Sequence, residues 1–143
     1  MKLGIGNDHA GTEYKEALAA YLKDRGITVE NFGTDGDSSV DYPDHVHPLA
    51  SKVADQSLDY GVLICGSGNG VAMTANKYQG VRAALCWQKE LASLARQHNN
   101  ANILCIPARF VSVDQALEML AAFIDTAFEG GRHASRVNKI PCC

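Results

Sequence analysis

The sequence lacks the features that mark several large classes of protein. Residues 1–20 contain no long apolar run, so neither a signal peptide nor a membrane helix is expected there. An excess of positive charge is also missing, and the net charge of −3 argues against nucleic acid or an anionic membrane as the main partner. Repeats, low-complexity tracts and linkers are absent. We therefore expect one domain over residues 1–143.

Recognisable cysteine patterns are missing too. The five cysteines are Cys65, Cys86, Cys105, Cys142 and Cys143. An odd number without CxxC spacing predicts neither a disulfide framework nor a zinc site. We accordingly expect no bound metal, and a reducing cytoplasm as the natural compartment.

Short apolar segments alternate with helical patterns along the chain. The predicted strands are 2–6, 27–32, 62–64, 81–86 and 102–106, and the predicted helices include 71–78, 88–97 and a long one capped by Ser112. This alternation predicts a doubly wound, Rossmann-like α/β fold, with three αβα layers around a five-stranded parallel sheet. The pattern does not determine the strand order. Ligands of such folds bind where the strands end, at one carboxyl rim of the sheet.

The most distinctive stretch is residues 61–70, in which an apolar strand ends in Cys65 and three glycines alternate behind it. The spacing fails the dinucleotide signature GxGxxG by one residue, and no Walker A lysine follows. Val71 stands where a cysteine phosphatase needs arginine. A thiol beside backbone amides and the Ser67 hydroxyl suits proton abstraction next to a carbonyl. A packing cysteine before a flexible turn explains the same residues, so both interpretations stay open at this point.

Two histidines are candidates for the same rim. His98 continues the predicted inward face of Leu91 and Leu94, which would bring it close to the end of the fourth strand. It could cap its helix or act as an acid or base. His9 follows Asp8 in the turn after the first strand, where a structural hydrogen bond and a ligand contact are equally compatible with the sequence.

Arginines are concentrated near the end of the chain. Arg132 and Arg136 are four residues apart, so a helix over 132–140 would carry both on one face. Paired guanidinium groups bind phosphate well, although exposed arginines are also common without a ligand. Arg109, in the turn after the fifth strand, is a third candidate. The glycines before Arg132 would let this basic tail, about residues 130–143, reach another subunit.

Together these motifs closely resemble the ribose-5-phosphate isomerase B family, which includes isomerases of galactose 6-phosphate and allose 6-phosphate. The matching motifs run nearly end to end: Asn7-Asp8-His9-Ala10-Gly11, Asp41-Tyr42-Pro43, Ile64-Cys65-Gly66-Ser67-Gly68-Asn69-Gly70, Ala75-Asn76-Lys77, Arg82-Ala83-Ala84, His98-Asn99 and Gly130-Gly131-Arg132-His133 with Arg136. The resemblance implies cofactor-free interconversion of ribose 5-phosphate and ribulose 5-phosphate in the pentose phosphate pathway. It also implies a homodimer, or a dimer of dimers, with shared active sites. Alternatives are a hexose 6-phosphate substrate or a non-catalytic module that binds phosphate ligands.

The resemblance assigns a role to each matching residue. Cys65 corresponds to the general base, and His98 to the residue that opens the furanose ring. The implied anion hole consists of Gly66, Ser67, Gly68, Asn69 and Gly70, and the implied substrate contacts are Asp8, His9, Asn99, Arg109, Arg132 and Arg136, some of them from the neighbouring subunit. Ser67 stands where the family often has threonine and keeps the hydroxyl. Some relatives use a later carboxylate as base, but Ala75 occupies that position here.

Overall fold

A parallel five-stranded sheet forms the centre of the protein, whose computed structural model describes residues 1–142. The strands are β1 (Lys2–Asn7), β2 (Thr28–Asn31), β3 (Tyr60–Cys65), β4 (Ala83–Leu85) and β5 (Ile103–Pro107). They lie in the order β2-β1-β3-β5-β4, and every neighbouring pair is parallel. The predicted sheet is confirmed, and the observed order puts its switch point between β1 and β3. Cys143, the last residue of the predicted basic tail, lies outside the described residues.

Helices connect the strands. They are a short 3-10 turn (His9–Gly11), α1 (Thr12–Asp24), α2 (Tyr42–Ala54), α3 (Asn69–Ala75), α4 (Lys89–Asn99), α5 (Val113–Asp125) and α6 (Arg132–Val137). Ser112 caps α5 as predicted, because its hydroxyl accepts a hydrogen bond from the amide of Gln115. Between residues 1 and 142, no helix has both the length and the apolar character needed to cross a membrane.

Several element boundaries differ from the sequence prediction, among them those of two helices. The helix predicted over 71–78 begins at Asn69 and ends at Ala75, since Gly68 adopts a left-handed conformation (φ +75°) that starts the helix immediately after it. The helix predicted over 132–140 ends at Val137.

The sheet is covered on both faces, as the three-layer prediction required. One apolar cluster contains Leu18, Ala92 and Met119 from α1, α4 and α5, together with alternate strand residues such as Ile64. The other contains residues of α2 and α3 with Cys65. Because successive strand side chains point to opposite faces, the Cys65 thiol lies on the side of α2 and α3.

The buried face of α4 differs from the predicted one. Leu94, expected to point inward, is 42% exposed, whereas Arg96 is only 5% exposed. The Arg96 guanidinium lies over the rings of Tyr60 and Phe123, at 4.8 and 5.7 Å from their centroids. A prediction from the hydrophobic pattern places arginine on the solvent side of a helix. It therefore assigned the wrong side of α4 to the core.

Candidate active site

Cys65 lies at the carboxyl end of β3, next to the switch point of the sheet. Its side chain is almost fully buried, at 5% exposure. The backbone N–H of Gly68 donates a hydrogen bond to the Cys65 sulfur over 3.2 Å. The Ser67 hydroxyl, which is exposed, accepts one from the amide of Asn69 over 3.3 Å. The sulfur therefore faces an amide donor that can stabilise negative charge developing beside it.

Two of the glycines behind Cys65 are closely packed against neighbouring side chains. A Cβ atom on Gly68 would lie 2.4 Å from a terminal carbon of Leu85, and one on Gly70 would lie 2.4 Å from the ring of Tyr42. Tyr42 is the first residue of α2 and is 37% exposed. It lines the site although sequence reasoning assigned it no role; its place in the Asp41-Tyr42-Pro43 motif was the available signal.

The turn after β1 lies beside the same strand end. The amide of Asp8 donates to the carbonyl of Ile64, directly before Cys65. The Asp8 carboxylate in turn accepts a hydrogen bond from the Ala10 amide over 2.9 Å, which fixes the turn. The amide of Val40 donates to Nδ1 of His9 over 3.3 Å. Asp8 and His9 thus stand at the predicted carboxyl rim, with one ring nitrogen of His9 already engaged.

Arg109 reaches this rim from the end of β5. Its amide donates to the carbonyl of Gly66 over 3.0 Å. Its guanidinium packs against the same glycine, within 3.1–3.2 Å of the place where a side chain would begin. Arg109 therefore brings a positive charge to the edge of the Cys65 turn. We call the group formed by Asp8, His9, Tyr42, residues 65–70 and Arg109 the rim half-site.

His98 does not lie at this rim, contrary to the sequence prediction, and Asn99 does not lie there either. They form the last turn of α4, shortly before β5 begins at Ile103. Ile103 pairs with Gly61, whereas Cys65 pairs with Pro107. Four residues of strand separate these two ends by about 13 Å. Within one chain His98 therefore lies at the amino end of the sheet and Cys65 at the carboxyl end, because a helix between parallel strands runs back against them.

A second group of functional side chains surrounds His98. Its ring stacks on that of His133, with centroids 4.2 Å apart and planes inclined by 13°. A carboxylate oxygen of Glu129 lies 3.9 Å from Nε2 of His98 and 3.7 Å from Nε2 of His133. Burial, followed by the neighbouring His98 and Arg132, lowers the pKa of His133 and so favours its neutral form.

The two tail arginines extend this second group. Arg132 and Arg136 are both exposed on α6, and Nη1 of Arg136 donates to the carbonyl of Arg132 over 3.1 Å. They are one turn apart, as the sequence spacing predicted. We call the group formed by His98, Asn99, Glu129, Arg132, His133 and Arg136 the tail half-site. Sequence reasoning assigned no role to Glu129, whose amide donates to the carbonyl of Gln97 and ties the two segments together.

Fold and site together define a class of protein. It is a doubly wound α/β protein that carries a thiol and an amide donor at its switch point, and imidazoles and guanidinium groups at the opposite end. The sequence pattern of the ribose/galactose isomerase family matches residues 3–140. The chain belongs to that family.

Similar proteins span nearly the whole chain. Ribose-5-phosphate isomerase B of Escherichia coli is 39% identical over 97% of this chain and 93% of its own length. The solved structure of the Clostridium thermocellum ribose-5-phosphate isomerase B has a TM-score of 0.96 and 46% identity, and covers 98% of this chain and 95% of its own. The Mycoplasma genitalium enzyme, solved with bound ribulose 5-phosphate, has a TM-score of 0.94 and 42% identity, with 97% and 93% covered.

Proposed function

We propose that the protein interconverts D-ribose 5-phosphate and D-ribulose 5-phosphate, an aldose–ketose isomerisation of the pentose phosphate pathway. The observation that carries this proposal is the Cys65 sulfur held against the Gly68 amide at the switch point. Relatives named ribose-5-phosphate isomerase B, one of them solved with ribulose 5-phosphate, support the same substrate. We assign the activity to the cytoplasm and to the protein alone, without a metal or organic cofactor.

The central step is a proton transfer between neighbouring carbons. As a thiolate, Cys65 removes the proton from C2 of the open-chain aldose while the C1 oxygen gains a proton. The thiol then returns its proton to C1 as the C2 hydroxyl loses one, which gives the ketose. Negative charge develops on oxygen in between, and amide donors of residues 66–70 with the Ser67 hydroxyl stabilise it.

The remaining roles belong to the tail half-site. His98 donates the proton that opens the furanose ring, and Asn99 contacts the substrate. Arg132 and Arg136 bind its phosphate, helped by Arg109 from the rim half-site. Since the two half-sites lie at opposite ends of one sheet, a substrate of this size cannot contact both within a single chain. We therefore propose a homodimer in which the rim half-site of each chain faces the tail half-site of the other.

The thiol assignment is tested with Cys65→Ala. We expect kcat for ribose 5-phosphate to fall by about 10³-fold, because the base is lost while the amide donors of residues 66–70 remain. Binding of ribulose 5-phosphate, measured by calorimetry, should stay within a few-fold of wild type. Cys86→Ala, which removes a thiol buried on the opposite face of the sheet, is the matched control. Full turnover by Cys65→Ala would remove the thiol from the mechanism.

The shared site is tested by mixing two inactive variants, Cys65→Ala and His98→Asn. Random pairing of equal amounts yields about half mixed dimers, each with one intact site out of two, so about a quarter of wild-type activity should return. The chains are unfolded together and refolded, and ribulose 5-phosphate formation is measured. Mixing Cys65→Ala with Asp8→Asn, a variant of the same half-site, should restore nothing. Equal activity in both mixtures would contradict the shared site.

The family description gives a second candidate substrate, because it includes galactose as well as ribose. A hexose 6-phosphate undergoes the same proton transfer and needs only a longer distance between the thiol and the phosphate-binding arginines. Turnover of ribose 5-phosphate, allose 6-phosphate and galactose 6-phosphate by the pure protein separates the two. The highest kcat/KM for ribose 5-phosphate is expected, and a higher value for either hexose phosphate would reassign the substrate.

A further inference from the structure

The structure contains one compact group of metal-ligand side chains within residues 1–142. One ligand atom each from His98, Glu129 and His133 can be chosen so that all three lie within 4.8 Å of one another. Two pairs are closer still, with the Glu129 oxygen 3.9 Å from His98 and 3.7 Å from His133. Two imidazole nitrogens and one carboxylate oxygen form a ligand set that zinc commonly takes in proteins.

The backbone already holds these three residues close together. The amide of Glu129 donates to the carbonyl of Gln97, the residue before His98. Gly130 and Gly131 adopt positive φ angles of 67° and 55°, and the amide of His133 donates to the Gly130 carbonyl. This tight turn places Glu129 and His133 side by side against the end of α4. Binding an ion would therefore require little further ordering of the main chain.

Rotations of the side chains separate this arrangement from a coordination sphere. Zinc–nitrogen bonds of 2.0–2.1 Å place tetrahedral ligand atoms about 3.3–3.5 Å apart. The contacts of 3.7 and 3.9 Å must shorten by a few tenths of an ångström. The two imidazole nitrogens, which lie within 4.8 Å of each other, must approach by up to about 1.5 Å as the stacked rings turn toward a common point. His133 is 13% exposed and the other two side chains are 39% and 51% exposed, so solvent reaches the cluster.

We infer that His98, Glu129 and His133 form a zinc-binding site that inhibits the enzyme. A bound Zn²⁺ occupies the Nε2 lone pairs of both imidazoles and leaves its fourth position to water. Inhibition rests on the proposed function, because it follows from withdrawing His98 from ring opening. Binding of the ion does not rest on that function. The ion is an inhibitor here and has no part in the isomerisation itself.

Calorimetric titration with ZnCl₂ tests the site without using activity. Wild-type protein should bind one tight equivalent per chain, and Glu129→Gln and His133→Asn should each weaken that binding by at least about 10-fold. His47→Asn, which alters an exposed histidine elsewhere, and Cys65→Ala, which removes the competing thiol, should leave it unchanged. Absence of a tight equivalent, its persistence in His133→Asn, or its loss in Cys65→Ala would overturn the assignment.

A kinetic measurement then separates this inference from the proposed function. Added ZnCl₂ should reduce ribose 5-phosphate turnover in proportion to occupancy of the tight site, and EDTA should restore it. Turnover that stays unaffected at full occupancy would overturn the inhibitory role. Tight zinc binding by a protein that does not turn over sugar phosphates would support the metal site while refuting the proposed function.

Discussion

Substitution of Gly68 tests how the turn after Cys65 holds its amide donor against the sulfur. Alanine at this position would keep φ at +75°, a left-handed conformation that costs an L-residue about 1–2 kcal/mol. Its Cβ would also lie 2.4 Å from Cδ1 of Leu85, the end of a partly buried side chain that can turn aside, so this overpacking costs about 1 kcal/mol. We expect Gly68→Ala to lower the free energy of unfolding by about 2–3 kcal/mol, the sum of the two costs.

The chain supplies a matched control for this substitution. Gly26 has the same φ of +75°, and no atom lies within 4 Å of the place a methyl group would take, so Gly26→Ala carries the conformational cost alone. Both variants are unfolded in urea, and the difference between them measures the contact with Leu85. Gly68→Ala should in addition reduce kcat by about 10-fold or more, because relieving the backbone strain at φ +75° moves the amide that faces Cys65. Equal destabilisation by both variants, with unchanged kcat, would refute the reasoning.

Two further predictions concern buried polar groups. Arg96→Met should cost about 3 kcal/mol in urea unfolding, because it leaves the carbonyls of Ala101 and Thr126 without their donor. Arg25→Met, which removes the exposed ion pair with Asp125, should cost clearly less than Arg96→Met, and equal costs would contradict the buried role. Burial raises the pKa of Cys86 to about 12 from an ordinary 9.0, so its native thiol stays protonated where the unfolded one ionises. Its contribution to stability is complete below pH 9 and falls by about 1.4 kcal/mol per pH unit up to pH 12, and Cys86→Ala should flatten that part of the unfolding profile relative to wild type.

The fold was predictable because each strand and helix is specified locally. Alternating apolar segments identified all five strands, and the connecting helices forced them to be parallel. Strand order was not predictable, since pairing depends on contacts between segments far apart in the chain. β4 shows another limit: the apolar stretch 81–86 suggested six residues, but only Ala83–Leu85 pair with β5, at the edge of the sheet.

The candidate site was predictable as a set of residues and not as an arrangement. His98 was assigned to an inward helix face, yet a helix between parallel strands returns the chain to the amino end of the sheet. That rule was available from the fold class alone and already separates His98 from Cys65. The burial of Arg96 was not predictable for a different reason: it depends on Tyr60 and Phe123, which lie far from Arg96 in sequence.

The separation of the half-sites also explains which supporting residues should affect catalysis. Gly68 and Leu85 hold the amide against Cys65 in one half-site, while Arg96 and the Glu129 amide hold the last turn of α4, and with it His98, in the other. Each half-site is stabilised by contacts within its own chain. On the proposed function, a disturbance of either support should therefore be repaired in a mixed dimer whenever the partner's corresponding half-site is intact. Gly68→Ala should accordingly complement His98→Asn and fail to complement Cys65→Ala, because a dimer of Gly68→Ala with Cys65→Ala contains no intact rim half-site.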